Sequence, residues 1–84
     1  MTYKISILRR AQKQLAKIPA SDYKKVKQAI LDLAQNPRPP GSKRLKGPPG
    51  WRIRQGDYRV IYEIRDDQLI VIVLDVGNRK DIYR

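Results

Sequence analysis

The 84-residue chain contains no cysteine and no histidine. Without thiols it can form neither a disulfide nor a thiolate metal site. Without imidazole it lacks the commonest metal ligand and the usual proton shuttle near neutral pH. No apolar run approaches the roughly 18 residues that a membrane-spanning helix needs. The opening stretch MTYKISILRR mixes charges among its apolar residues and has no small-residue cleavage site, so no signal peptide is expected. A cytoplasmic location with no membrane partner follows as the expectation. Acidic residues are also scarce: eight Asp and Glu stand against nineteen Lys and Arg, a net charge of +11. Such an excess points to a polyanionic partner: nucleic acid, an acidic protein or an anionic membrane surface.

What is present is enough for a folded unit. Hydrophobic residues make up 40% of the chain, which excludes compositional disorder. The length predicts one domain over residues 1–84 with a modest core. Tyr3, Ile5 and Ile7 alternate with Lys4 and Ser6, the pattern of a strand. Then the period changes. Leu8, Ala11, Leu15 and Ile18 follow helical spacing, predicting a short helix that runs to Pro19. Ser21 is placed as the cap of a second helix, with Asp22 suited to its positive end. Tyr23, Val26, Ile30 and Leu33 form that helix's apolar stripe, and Asn36-Pro37 ends it. So short a link between them predicts a helical hairpin.

Residues 36–50, NPRPPGSKRLKGPPG, read as loop and hold five of the six prolines. They also carry Arg38, Lys43, Arg44 and Lys46, with Leu45 expected to pin the loop to the core. A loop this long is uncommon in a compact domain and is often functional. Three strands follow: Trp51 to Gln55, Tyr58 to Arg65 and Leu69 to Val76. Gly56-Asp57 suits a two-residue hairpin turn, and Asp66-Asp67 makes the next reversal. LIVIVLDV is apolar on both faces, so it belongs inside the sheet. The order β-α-α-β-β-β predicts an α+β fold: a largely antiparallel four-stranded sheet with the helical hairpin on one face.

The hairpin poses a chemical question. A turn at Gly56-Asp57 sets Arg54 opposite Arg59 and Arg52 opposite Ile61, so Arg52, Arg54 and Arg59 share a face. Trp51, Ile53, Tyr58, Val60, Tyr62 and Ile64 share the other, where the helices should pack. Like charges directly opposite are destabilising, within the roughly 0.2–1 kcal/mol span of cross-strand pairs. Asp57 and Glu63 are expected to offset part of that. The cluster makes sense if an anion completes it, and phosphate suits guanidinium groups, which bind it bidentately and stay charged. The tail adds Gly77, Asn78, Arg79, Lys80 and Tyr83 beyond the last strand.

Together these stretches resemble the RelE-type toxins of bacterial toxin–antitoxin pairs, within the RelE/ParE superfamily. The resemblance covers essentially the whole chain: the strand-helix-helix opening, NPRPPGSKRLKG, WRIRQGDYRVIYEI and VIVLDVGNRKDIY. It implies a RelE-like fold and an endonuclease that needs no metal or cofactor and cleaves mRNA in the ribosomal A site, halting translation. It implies a cognate RelB-like antitoxin as partner, and a toxin–antitoxin complex that binds its own operator DNA through the antitoxin. The family's basic pair falls on Arg52 and Arg54, its arginine after the turn on Arg59, its arginine after the last core strand on Arg79 and its C-terminal tyrosine on Tyr83. Several relatives carry lysine at the first two places and some carry histidine near Asn78; this chain has neither there, so proton transfer at those places is in doubt while charge stabilisation survives.

Cleavage without metal needs a base for the ribose 2′-hydroxyl, cations for the charge that grows on the phosphate, and an acid for the leaving 5′-oxygen. Tyr83 is the expected base. A free tyrosine titrates near 10, too high for good catalysis at neutral pH, and Arg79, Arg59 and Lys80 nearby would favour its phenolate. Arg59 and Arg79 are expected to clamp the phosphate, with Arg52 and Arg54 stabilising developing charge. Lys43, Arg44, Lys46 and Lys80 are the expected RNA contacts. Two other readings stand beside this one: a ParE-like inhibitor of DNA gyrase, and a nucleic-acid-binding or repressor component without chemistry.

Overall fold

The computed structural model describes residues 2–47 and 50–78. Strand β1 spans Lys4–Ile7, helix α1 Arg9–Ala16, helix α2 Ala20–Asp32, strand β2 Lys43–Arg44, β3 Trp51–Gln55, β4 Tyr58–Arg65 and β5 Ile70–Asn78. They build one five-stranded sheet in the order β1-β5-β4-β3-β2. β1 runs parallel to β5 and every other pairing is antiparallel. The α+β architecture is as expected, with one addition: the segment read wholly as loop contributes a fifth strand. Lys43 pairs with Arg52 and Arg44 with Trp51. Two residues carry too little alternation to register as a strand; pairing with β3 makes them one.

The β-strands sort their side chains by period two. Ile53, Val60, Tyr62, Val71, Val73 and Val76 point to one face and are buried there with Ala11 and Leu15 of α1 and Val26, Ile30 and Leu33 beside or within α2. Trp51, Tyr58 and Ile64 pack against the same cluster. The face assigned to the helices from sequence is therefore the one they cover. Gly56 takes φ +60 in the turn, a left-handed conformation that a side chain would disfavour, and it closes the β3–β4 hairpin in the expected register.

Helix boundaries differ in detail. α1 stops at Ala16 and Lys17 caps it, short of Pro19. Leu8, the first member of the predicted stripe, is 45% exposed because it precedes the helix. α2 begins at Ala20 after an extended Pro19, so Ser21 lies inside the first turn and no side chain caps the helix. Proline's fixed φ and the carbonyl of Pro19, which accepts from Tyr23 N–H at 2.8 Å, start the helix two residues earlier than the serine would. Leu45 does not reach the core cluster; it is half-buried and closes over Gly50.

β5 contains a bulge. Tyr62 pairs with Val73 but Ile61 pairs with Asp75, leaving Leu74 as an extra residue. From there Val60 faces Val76 and Arg59 faces Gly77.

Candidate active site

The helix-free face of the sheet holds the cations. Arg54 stands opposite Arg59, and Arg59 opposite Gly77. Arg52 stands opposite Ile61 on one side and Lys43 on the other. Directly opposed residues project to the same side, so Lys43, Arg52, Arg54 and Arg59 form one basic array across three strands. Arg54 is exposed, Arg52 half-buried, and Arg59 only 3% exposed. Nε of Arg52 and Nε and Nη2 of Arg59 are shielded from solvent. Removing a guanidinium from water is costly unless other groups compensate, which marks Arg59 as the most constrained cation of the array. Gly77 beside it has no side chain to compete for that space.

The expected counter-charge is used elsewhere. Glu63 accepts from Arg65 Nε at 2.5 Å, so its carboxylate serves its own strand end rather than the array. The basic residues of the loop, grouped together from sequence, are divided by the register. Lys43 joins the array, Arg44 opposite Trp51 projects to the other side of the sheet, and Lys46 is exposed in the loop. Arg79, Lys80 and Tyr83 lie outside the described residues. The tyrosines within them do not stand in for Tyr83: Tyr3, Tyr23, Tyr58 and Tyr62 all belong to or pack against the core cluster. Tyr62 is fully buried, its phenol pushed up to about 12 by desolvation, and it donates to the Pro37 carbonyl at 2.7 Å.

Sequence spacing did not reveal what anchors the basic loop. Arg38 donates through both terminal nitrogens to Asp66, at 3.2 and 2.8 Å, and lies over the Trp51 ring at 5.2 Å. Tyr3 donates its hydroxyl to the same carboxylate at 2.6 Å. The Arg38 and Tyr3 hydrogen bonds hold Asp66 down at about 2. Residues 63 apart in sequence meet here, and no local pattern announces that. A planar cation on a ring with a bidentate carboxylate is a geometry that arginine, not lysine, supplies. With the buried Tyr62–Pro37 bond it fixes the start of the loop over β3.

Comparison with known proteins places this architecture. The family model described as "ParE toxin of type II toxin-antitoxin system, parDE" matches residues 5–83. Toxin RelG of Mycobacterium tuberculosis is 33% identical over 86 residues, covering 100% of this chain and 99% of RelG. The chain belongs to the RelE family of type II toxins, within the RelE/ParE superfamily. The mRNA interferase toxin RelE of Escherichia coli is 28% identical over 83 residues, spanning 95% of this chain and 86% of its own. The RelE–RelB complex of Pyrococcus horikoshii superposes with a TM-score of 0.84 at 28% identity, covering 94% of this chain and 97% of the other. The RelE fold in that comparison is seen with its antitoxin bound.

Proposed function

We propose that this RelE-family chain is a ribosome-dependent endoribonuclease that cleaves mRNA in the A site and so halts translation. The observation that carries the reading is the cross-strand array of Lys43, Arg52, Arg54 and Arg59 on the face the core does not use. Like charges in register oppose folding, and a phosphodiester would relieve them. The relatives named as mRNA interferases support the same chemistry.

In the proposed reaction Tyr83 removes the proton from the ribose 2′-hydroxyl. The 2′-oxygen attacks phosphorus, the bond to the 5′-oxygen breaks, and a 2′,3′-cyclic phosphate and a 5′-hydroxyl result. Arg59 and Arg79 hold the phosphate, and Arg52 and Arg54 meet the charge that develops on it. Preorganised donors of this kind contribute on the order of 10²–10³ in rate each. Arginine is a poor proton donor, so no residue is assigned as the general acid; water, a ribosomal group or an arginine could serve the leaving oxygen. Lys43, Arg44, Lys46 and Lys80 bind RNA, Lys43 from within the array beside Arg52. The antitoxin is a RelB-like protein that covers this surface, as supported by the RelE–RelB assembly of the structural relative, and the pair binds its operator through the antitoxin.

The description attached to the family model keeps one other reading in play, a ParE-like block of DNA gyrase by binding alone. Primer extension on mRNA after induction of the chain separates them. Site-specific cuts that vanish in Tyr83→Phe, with ribosome binding retained, are expected. Uncut mRNA with inhibited supercoiling would establish the gyrase reading, and neither effect would leave a binding or repressor component.

A further inference from the structure

β1 covers only the first part of β5. Its pairing ends at Ile7 opposite Val73, and Leu8 N–H closes the ladder on the Val73 carbonyl at 3.0 Å. From Leu74 onward, among the described residues, that edge of β5 has no strand beside it; α1 runs there instead. An uncovered edge presents backbone groups that still need partners. Gln14 of α1 supplies one of them, for the Val76 N–H. Its Oε1 accepts from Val76 N–H at 2.7 Å, and its Nε2 donates to Asp75 Oδ1 at 2.5 Å. Arg10 Nε lies 3.6 Å from the same carboxylate oxygen. A side-chain amide has both a donor and an acceptor, so Gln14 ties the Val76 backbone N–H and the Asp75 side chain to α1 at once.

The place it binds decides which way the strand end faces. Without the bulge, the ladder would continue from Tyr62–Val73 through Ile61–Leu74 to set Asp75 opposite Val60 and Val76 opposite Arg59. A carboxylate would then enter the core and a valine would occupy the space beside the buried guanidinium. The bulge turns Val76 inward, to 2% exposure, and sets Gly77 beside Arg59. Burying Asp75 already disfavours the unbulged register, and the bonds of Gln14 to Val76 and Asp75 add to the preference. Beyond Gln14 the helix and the strand part around a groove of about 320 Å³ lined by Lys17, Ile18, Tyr58 and Asn78.

We propose that Gln14 is a positioning residue of the toxin: it locks the β5 bulge, and through it the placement of Gly77 against Arg59. Its catalytic consequence rests on the proposed nuclease reading. The test uses Gln14→Leu, which removes both bonds at similar size, and the pair Gln14→Glu with Asp75→Asn, which restores an acceptor for Val76 N–H and reverses the side-chain bond. Two readouts are taken on the full chain: hydrogen exchange of the Val76 amide, and single-turnover mRNA cleavage on programmed ribosomes with affinity measured separately. Gln14→Leu should speed Val76 exchange about tenfold. It should slow cleavage by roughly ten- to a hundredfold at unchanged ribosome affinity, and the double variant should recover both. Unchanged exchange at Val76 overturns the lock. Altered exchange with an unchanged rate constant, or losses of rate and affinity that only track global unfolding, overturns the positioning role. If the wild-type chain cleaves nothing, the nuclease reading falls with its catalytic consequence, while exchange at Val76 still decides the lock.

Discussion

The two faces of this sheet use one alternation for opposite ends. On the helix side Ile53, Val60, Tyr62, Val71, Val73 and Val76 leave water almost completely. On the other side Lys43, Arg52, Arg54 and Arg59 are set in register with like charges opposed. Burial explains the first face by itself, since each large apolar side chain removed from water contributes roughly 1.5–3 kcal/mol. The second is built of cations, for which burial of apolar surface is not the explanation. The difference shows how one period-two alternation separates an apolar face from a cationic one along the same strands.

Substitutions on the two faces should therefore behave oppositely. The largest effect belongs to the core. Tyr62→Ala empties a fully buried site and removes the bond to Pro37, and should cost about 3–5 kcal/mol in urea unfolding. For a small domain that is a large share of the total. Arg54→Ala on the outer face should slow mRNA cleavage by on the order of 10²–10³. It should also raise stability by up to ~1 kcal/mol, because it removes a charge opposite Arg59. A destabilised Arg54→Ala would mean that the basic face serves the fold after all.

The smallest effect concerns the loop anchor between the faces. Asp66 is held at about 2 in the folded chain against an ordinary 3.8. Its folded value is depressed, so its contribution is present above the ordinary value and is lost as pH falls toward the folded one. Thermal unfolding of wild type and Asp66→Asn should differ at neutral pH, and the gap should close between about pH 4 and pH 2. The fluorescence of Trp51, the single tryptophan, should shift with it as Arg38 loses its carboxylate. A gap that persists unchanged at pH 2 would show that the Arg38–Asp66 pair does not hold the loop.

The hairpin from Trp51 to Arg65 was legible in the chain down to its register, because a two-residue turn and strict alternation leave one way to pair it. The helices were legible from their apolar stripes, though their ends shifted by a few residues where Pro19 and Lys17, rather than Ser21, set the boundaries. Three features were not. β2 has two residues and exists only because β3 offers it an edge. The Arg38–Asp66–Tyr3 anchor joins distant segments, and its members look like ordinary surface residues one at a time. The bulge in β5 lies in an apolar run where Asp75 alone marks the phase, and one residue does not show where the extra residue sits.

The chain's own chemistry, then, determined the alternation that separates an apolar face from an arginine face, and the net charge of +11. Tertiary structure decided which strand Lys43 would join, how deeply Arg59 would be buried, and which residue of β5 would stand beside it. Those outcomes depend on contacts between segments far apart in sequence. Their energies exist only once the sheet has closed and α1 has taken its place along the uncovered edge.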